Sequence, residues 1–476
     1  MMPTDLSDSA PAVAQLTARF EAQRLAYRRH PFSSLRERRH RLTQLKQLIL
    51  DNQDAIAEAL NQDFGGRSAS ETRNAEVLPS IQGLNYALKH LKGWMKPQRR
   101  WVPLMFQPAS SRVQAQPLGV VGIVVPWNYA LYLAVGPMAA ALAAGNHCMV
   151  KLSEYTPAFG VLFAELIRSV FDEDVITVVN GDVEVARAFS DLPFDHLFFT
   201  GSTQVGKQVM AAAARNLTPV TLELGGKSPV YIDRSMPVKE AANRLVFGKC
   251  INAGQTCVAP DYVLCPPERI EAFVQAWLAQ VRRLYPKPGA NDDYTAIINS
   301  GQYQRLVGYL RAAESEGATL HWSEAFDAQQ GRKIPPVAVT GLPESSALLQ
   351  EEIFGPILPI VPCDNALDAI DYINQRPRPL ALYVFGYDQS LRPLFTERTH
   401  SGGLVFNDAV FHVAVDNLPF GGVGASGMGH YHGPEGFETF SKLKPVVAKQ
   451  RLNSLSLAYP PYNRWVHRLL SKLFIR

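Results

Sequence analysis

The chain has 476 residues, 47% hydrophobic and 19% charged, with a formal net charge of +4. That length exceeds one ordinary hydrophobic core and predicts two large domains with smaller appended elements. The small charge, with no basic run interleaved with aromatics, argues against nucleic acid as a partner. The five cysteines, Cys148, Cys250, Cys257, Cys265 and Cys363, are odd in number and lack Cys-x-x-Cys spacing, so reduced thiols in the cytoplasm are expected rather than a disulfide scaffold.

Along the chain, residues 1–8 show no basic segment leading into an apolar one, and no export signal is read there. Across residues 12–95 apolar positions recur at helical spacing, as in Leu42, Leu45, Leu48 and Ile49, predicting a helical block. From Gly119 onward short apolar runs at 120–125, 147–151 and 176–179 alternate with helical stretches at 130–144 and 158–170, the pattern of a parallel sheet covered by helices. The apolar stretch 130–145 falls short of the roughly 20 residues of a membrane span and reads as a buried helix. A strand at 196–200, a helix opened by Gly201-Ser202 and a strand ending at Glu223 close this first α/β unit. A second α/β series runs from Ser228 to about Val410. In the tail, Arg464, Arg468, Lys472 and Arg476 recur every four residues while Val466, Leu469, Leu470 and Leu473 fill the other side. This basic amphipathic helix suits either peripheral membrane contact or packing on its own subunit or a partner.

Chemistry concentrates in a few phrases. Asn252-Ala-Gly-Gln-Thr-Cys257-Val-Ala-Pro-Asp261 sets a cysteine among turn-forming residues, in an irregular loop where function often sits, although a free cysteine is usually a small buried hydrophobe. Glu223 stands at a strand end just before Gly225-Gly226, at the edge where doubly wound sheets bind ligands. A thiolate that adds to a carbonyl, with a carboxylate that activates water, is a set for acyl-enzyme chemistry. Asn128, in Pro126-Trp127-Asn128, follows a hydrophobic strand. It fits an oxyanion donor, typically worth about 3 kcal/mol in a transition state, or a cap for the helix starting near Ala130. Gly201, Gly206 and Lys207 nearly complete a phosphate loop, but Gln208 stands where that loop needs Ser or Thr for magnesium. The glycine turn still offers helix N–H groups to a pyrophosphate. Gly-x-Gly-x-x-Gly is absent. Glu351 and Glu352 are adjacent on an extended segment and point to opposite faces, so they do not form a glycosidase pair. His430 and His432 lack the neighbours of a metal set, and no metal is expected.

These segments resemble the catalytic signatures of the aldehyde dehydrogenase superfamily, with matching phrases from residue 126 to about residue 442. Pro419-Phe-Gly-Gly-Val-Gly-Ala-Ser-Gly-Met-Gly-His-Tyr-His-Gly433, followed by Phe437-Glu-Thr-Phe-Ser-Lys442, looks most like the class 3 branch, including bacterial coniferyl aldehyde dehydrogenases. The resemblance implies an α/β aldehyde dehydrogenase fold in three parts with a tail. Residues 1–102 and 121–224 would form a Rossmann-like NAD-binding domain, 225–411 the catalytic domain, 103–120 and 412–448 a small β oligomerisation element, and 449–476 the basic tail. It implies Cys257 as nucleophile, Asn128 as oxyanion donor and Glu223 as activator of the deacylating water, with a carboxylic acid as product. It implies cofactor contacts from Gly201 and Ser202 at the pyrophosphate, from Lys151 and Glu154 at the adenosine ribose, from Glu352 and Phe354 at the nicotinamide end, and from Trp127, Gly206 and Leu224. A carboxylate beside the ribose favours NAD, with NADP open because Lys151 pulls the other way. Tyr129, Tyr132 and Phe411 are candidate walls of an apolar aldehyde tunnel, or simply core. A homodimer is expected. The substrate is an aromatic aldehyde such as coniferaldehyde or a medium- or long-chain aliphatic one; a binding protein reusing the fold is the non-enzymatic alternative.

Overall fold

The computed structural model describes residues 9–327, 331–462 and 464–475. Arg476, the last basic position of the tail pattern, lies outside them, as do the first eight residues.

One sheet has six strands in the order Gly427–Met428, Val220–Leu224, His196–Gly201, Val120–Val124, His147–Lys151, Ile176–Val179. Every neighbouring pair is parallel except the first. Val120–Val124 comes first in sequence and sits in the middle, with later strands added on both sides. A crevice therefore opens at the carboxyl ends of Val120–Val124 and His196–Gly201, where the winding reverses. The strands are near-continuous apolar runs because helices cover both faces.

The second sheet has seven strands, ordered Thr319–Trp322, Val337–Thr340, Ile357–Pro362, Tyr262–Cys265, Pro229–Ile232, Ala381–Phe385, Gly403–Phe406, with only the outermost pair at Thr319–Trp322 antiparallel. A third sheet is antiparallel and well exposed: Gln98–Arg100, Ala109–Pro117 and Ser441–Lys449, in register from Ser441 opposite Pro117 to Lys449 opposite Ala109.

The helix Ala130–Ala144 is apolar on every side and is buried almost throughout, as such a composition requires. Its two ends are held by charge. Glu76 Oε2 accepts from the N–H groups of Leu131 at 2.7 Å and Tyr132 at 3.3 Å, satisfying donors that a helix start leaves free. At the other end Arg38 Nη1 donates to the carbonyls of Ala143 and Ala144 at 3.0 and 2.7 Å, placing a cation on the negative pole. Among the described residues no helix is long and apolar enough to cross a membrane. The C-terminal helix Trp465–Phe474 is short and leaves Trp465, Leu469 and Leu473 exposed beside Arg468 and Lys472.

Candidate active site

Cys257 lies between the turn Ile251–Gly254 and the strand Tyr262–Cys265. The approach to it is conformationally costly: Asn252, Ala253 and Gly254 have φ of 50°, 52° and 74°, a left-handed run that costs roughly 1–2 kcal/mol for each non-glycine residue. At Gly254 a Cβ would collide with the carbonyl of Gly355, so only glycine fits. Hydrogen bonds fix the run. Asn252 Nδ2 donates to the carbonyls of Asn128 at 3.0 Å and Gln255 at 3.1 Å; Gln255 Nε2 donates to Asn252 and Ala296, and its Oε1 accepts from the N–H of Ile298. Strain held this firmly is a mark of a functional segment.

The Asn128 side chain joins this loop, its Nδ2 donating to Gln255 O at 3.2 Å. It does not cap the following helix, because Glu76 fills that role. One hydrogen of the amide is thereby engaged, and the other remains for a further acceptor.

Glu223 ends the strand Val220–Leu224, 3% exposed, with both carboxylate oxygens lacking a hydrogen-bond partner among the described residues. Burial pushes its carboxyl well above the usual range. Cys257 is accessible from the cavity and enclosed by protein elsewhere. Burial first, then the carboxylates of Glu352 and Glu223, push its thiol up to about 12. Burial, with Asp261 adding repulsion, likewise pushes Glu352 up to about 8. A thiol held protonated in this way needs a base to take its proton, and an unpartnered buried carboxyl poised high is suited to proton transfer.

These groups open onto one cavity of about 660 Å³ at the crevice of the six-stranded sheet, within the usual range for ligand sites. Of the residues singled out in the sequence, Trp127, Asn128, Gly201, Ser202, Glu223, Leu224, Cys257, Glu352 and Phe354 line it. Gly206 stands behind the wall: a Cβ there would meet Leu224 Cδ2 at 2.6 Å, so glycine lets the helix Thr203–Ala214 bring its N-terminus against the strand. Ser202 caps that helix, its Oγ accepting from the N–H of Val205. Lys151 and Glu154 lie outside the lining but on the same sheet edge, since Lys151 pairs with Val124. Lys151 Nζ donates to Leu152 O and Gly181 O, and Glu154 is exposed.

The three tunnel candidates are not brought into this wall. Tyr129 is buried behind it, its hydroxyl 2.7 Å from Thr256 Oγ1. Tyr132 lines a second, smaller cavity. Phe411 is 52% exposed on a short turn, Phe411–Ala414, that turns its ring outward. The apolar end of the main cavity is made instead by Leu133, Val413, Phe420 and Tyr431.

The site also fits a dinucleotide. The helix N-terminus at Ser202-Thr203-Gln204 presents N–H groups to the cavity. Gly225 admits the Glu352 carboxylate into a space that a Cβ would fill. Phe354, in a left-handed conformation at φ 49°, sets its ring edge-on to Trp127 at 5.3 Å.

Several supporting residues are not evident in the sequence. Arg305 donates to the carbonyls of Glu352 and Ile353 and so holds the loop that carries Glu352 and Phe354. Arg67, fully buried, pairs with Glu76 at 2.7 Å and donates to the backbone carbonyl of Asn128 at 3.3 Å. The available signals were Gly65-Gly66 before Arg67 and its four-residue spacing to Glu71, 3.6 Å away.

The fold and this cavity define an aldehyde-oxidising oxidoreductase, and the chain belongs to the aldehyde dehydrogenase family, whose profile matches residues 9–446. It is an enzyme of NAD(P)-dependent aldehyde oxidation to the carboxylic acid. Among its relatives, the "probable coniferyl aldehyde dehydrogenase" of Pseudomonas aeruginosa is 53% identical over 99% of this chain and 98% of its own. The coniferyl aldehyde dehydrogenase of a Pseudomonas species is 44% identical over 96% of each. Among solved structures, the substrate-bound state of Staphylococcus aureus AldH superposes with a TM-score of 0.92 at 37% identity, covering 97% of this chain and 99% of that one. A Mycobacterium tuberculosis aldehyde dehydrogenase complexed with NAD+ gives 0.83 at 31% identity, over 91% and 90%.

Proposed function

We propose that this enzyme oxidises coniferyl aldehyde or a closely similar aromatic aldehyde, with Cys257 as nucleophile, Asn128 as oxyanion donor and Glu223 as the base that activates water. The observation that carries the roles is the meeting, in one cavity, of the Cys257 thiol, the Asn128 amide and the partnerless Glu223 carboxyl. The aromatic substrate rests on the relatives named for coniferyl aldehyde and on the aromatic lining by Phe420 and Tyr431.

Glu223 takes the thiol proton and releases it to solvent at the cavity mouth before deacylation, and the sulfur adds to the carbonyl carbon. The oxygen that gains charge is met by the second Asn128 N–H, and water exclusion around the buried thiol strengthens that bond. NAD, when bound, supplies the hydride acceptor; Ser202, Gly201, Leu224 and Trp127 would hold its phosphates and ring, Lys151 and Glu154 its adenosine ribose, Glu352 and Phe354 its nicotinamide end. Once the sulfur carries an acyl group, Glu223 takes a proton from water, the hydroxide adds to the thioester, and the thiolate leaves as the acid is released.

The test is NADH formation by the purified protein with coniferaldehyde, benzaldehyde and octanal. Higher kcat/KM for coniferaldehyde than for octanal is expected; the reverse order would replace the aromatic reading with an aliphatic one. We also propose a cytoplasmic homodimer built on the exposed three-stranded sheet, checked by light scattering, and a peripheral membrane contact through Trp465–Phe474, which would be discarded on failure to sediment with anionic vesicles.

A further inference from the structure

The N-terminal helical block carries a charged cluster that reaches the reacting groups from behind. Arg67, Glu71 and Glu76 belong to the segment that enters the helix Ala69–Thr72 and continues through a π-helical turn, Arg73–Val77, where the N–H of Leu78 donates to Arg73 O. With 3.6 residues per turn, an α-helix would hold Glu71 and Glu76 on different faces. The wider turn brings both carboxylates to one guanidinium, Glu76 at 2.7 Å and Glu71 at 3.6 Å from Arg67. Such turns are frequent at functional positions.

Each member of the cluster holds a different piece of the site. Arg67 Nη1 donates to the carbonyl of Asn128 at 3.3 Å. Glu71 Oε2 accepts the N–H of Asn252 at 3.2 Å, at the entrance to the left-handed run that leads to Cys257. Glu71 Oε1 accepts from the Thr295 hydroxyl at 2.7 Å. The next residue, Ala296, gives its N–H to Gly66 O at 2.8 Å and takes Gln255 Nε2 on its own carbonyl at 3.1 Å. Asn252 Nδ2 closes the circuit by donating to the carbonyl of Asn128. That carbonyl thus receives Arg67 and Asn252 together, and Glu71 fixes the residue that supplies the second donor. A left-handed backbone is costly for any residue but glycine, and a hydrogen bond to a carboxylate is about twice as strong as one between neutral groups. Glu71 supplies the stronger kind at the first strained residue of the run.

We propose that Glu71, with Arg67, is a positioning residue that holds the Cys257 turn and Asn128 in one register, so that thiol and oxyanion donor meet the same carbonyl. Both stand behind the cavity wall and act through Asn252 and Asn128. An error of about 1 Å in such a register costs on the order of a hundredfold in rate. The inference rests on the roles given above to Cys257 and Asn128 and adds the residues that align them.

The experiment measures the first NADH-forming turnover per titratable thiol, with whichever of benzaldehyde and octanal the wild type oxidises faster. The full-length wild type is compared with Glu71→Ala, Glu71→Gln, Asn128→Ala and the Glu71→Ala/Asn128→Ala double variant, alongside NAD affinity by fluorescence quenching and thermal unfolding. Glu71→Ala is expected to slow that turnover about 10- to 100-fold with NAD affinity kept within about twofold. Glu71→Gln retains an acceptor for the Asn252 N–H and is expected within about fivefold of wild type. The double variant is expected no more than about threefold slower than Asn128→Ala alone, because residues acting as one unit are not additive. Full multiplication of the two single effects overturns the positioning role, as does a Glu71→Ala that loses active sites and unfolding temperature while keeping its rate per thiol. Either result leaves the roles of Cys257 and Asn128 standing. An Asn128→Ala variant as fast as wild type removes the oxyanion role and the inference with it. If Glu71→Ala does not fold, Thr295→Val carries the comparison by removing the donor to Glu71 Oε1: slowing of at least about threefold supports the role, and an unchanged rate overturns it.

Discussion

Two glutamates are buried within this enzyme, and their surroundings differ in a single respect. Glu76 has partners at both oxygens: Oε1 is paired with the Arg67 guanidinium at 2.7 Å, and Oε2 accepts from two N–H groups at the start of Ala130–Ala144. Burial pushes its carboxyl up, and Arg67 pulls it back. Glu223 has none; burial alone acts on it. A buried carboxyl tied to a cation and to backbone N–H groups serves the scaffold, whereas one left free at a cavity wall remains available to exchange protons with whatever enters. The supporting set under Asn128 and the reactive set around Cys257 are thus built from the same residue types with opposite bookkeeping of hydrogen bonds.

Four substitutions separate the roles of these carboxyls and of the thiol. The largest effect belongs to Cys257→Ala, which is expected to lower oxidation by a factor on the order of 10⁴ or more while NAD still quenches protein fluorescence; residual turnover near wild type would remove the thiol from the chemistry. Next, Glu223→Gln is expected to reduce steady-state turnover by roughly 10²–10⁴, to slow the first NADH-forming turnover in rapid mixing as well, and to leave thermal unfolding unchanged or raised. A drop in unfolding temperature would mean that Glu223 belongs with Glu76. For Glu76→Gln the balance is reversed: Arg67 loses its 2.7 Å partner and keeps only Glu71 at 3.6 Å, and urea unfolding is expected to show a loss of up to about 3 kcal/mol. The smallest effect concerns Glu352→Gln. Glu352 raises the Cys257 thiol as a neighbouring negative charge, so its removal favours the thiolate and shifts the pH midpoint of alkylation by iodoacetamide downward from about 12. Because Glu352 itself ionises near pH 8, the gain in alkylation rate is expected above that pH and absent below it.

Much of this was legible in the amino-acid order because the chemistry is carried by contiguous phrases. The loop 252–261, the strand end at Glu223 and the helix start at Gly201-Ser202 each display their turn residues locally, and alternating apolar runs place Val120–Val124, His147–Lys151 and Ile176–Val179 on consecutive strands. What stayed hidden depends on packing over long separations. Nothing near Arg67 signals that it reaches the carbonyl of Asn128, and nothing near Tyr431 signals that it faces the same cavity as Cys257. Phe411 illustrates the converse: a bulky apolar residue in the right stretch of chain is turned to solvent by the local backbone, a matter of a few dihedral angles that composition does not encode.

The short strand Gly427–Met428 lies antiparallel beside Val220–Leu224, and Ser426 O accepts from the N–H of Leu224. A polypeptide emerging from the ribosome therefore makes Glu223 and Cys257 long before it makes the segment that seals the flank of the Glu223 strand. Until residue 428 has been added, that flank is an unpaired edge open to association with other chains. A chain ending before residue 427 is therefore expected to expose that strand edge and to aggregate more than the full-length protein, which light scattering of the truncated chain checks.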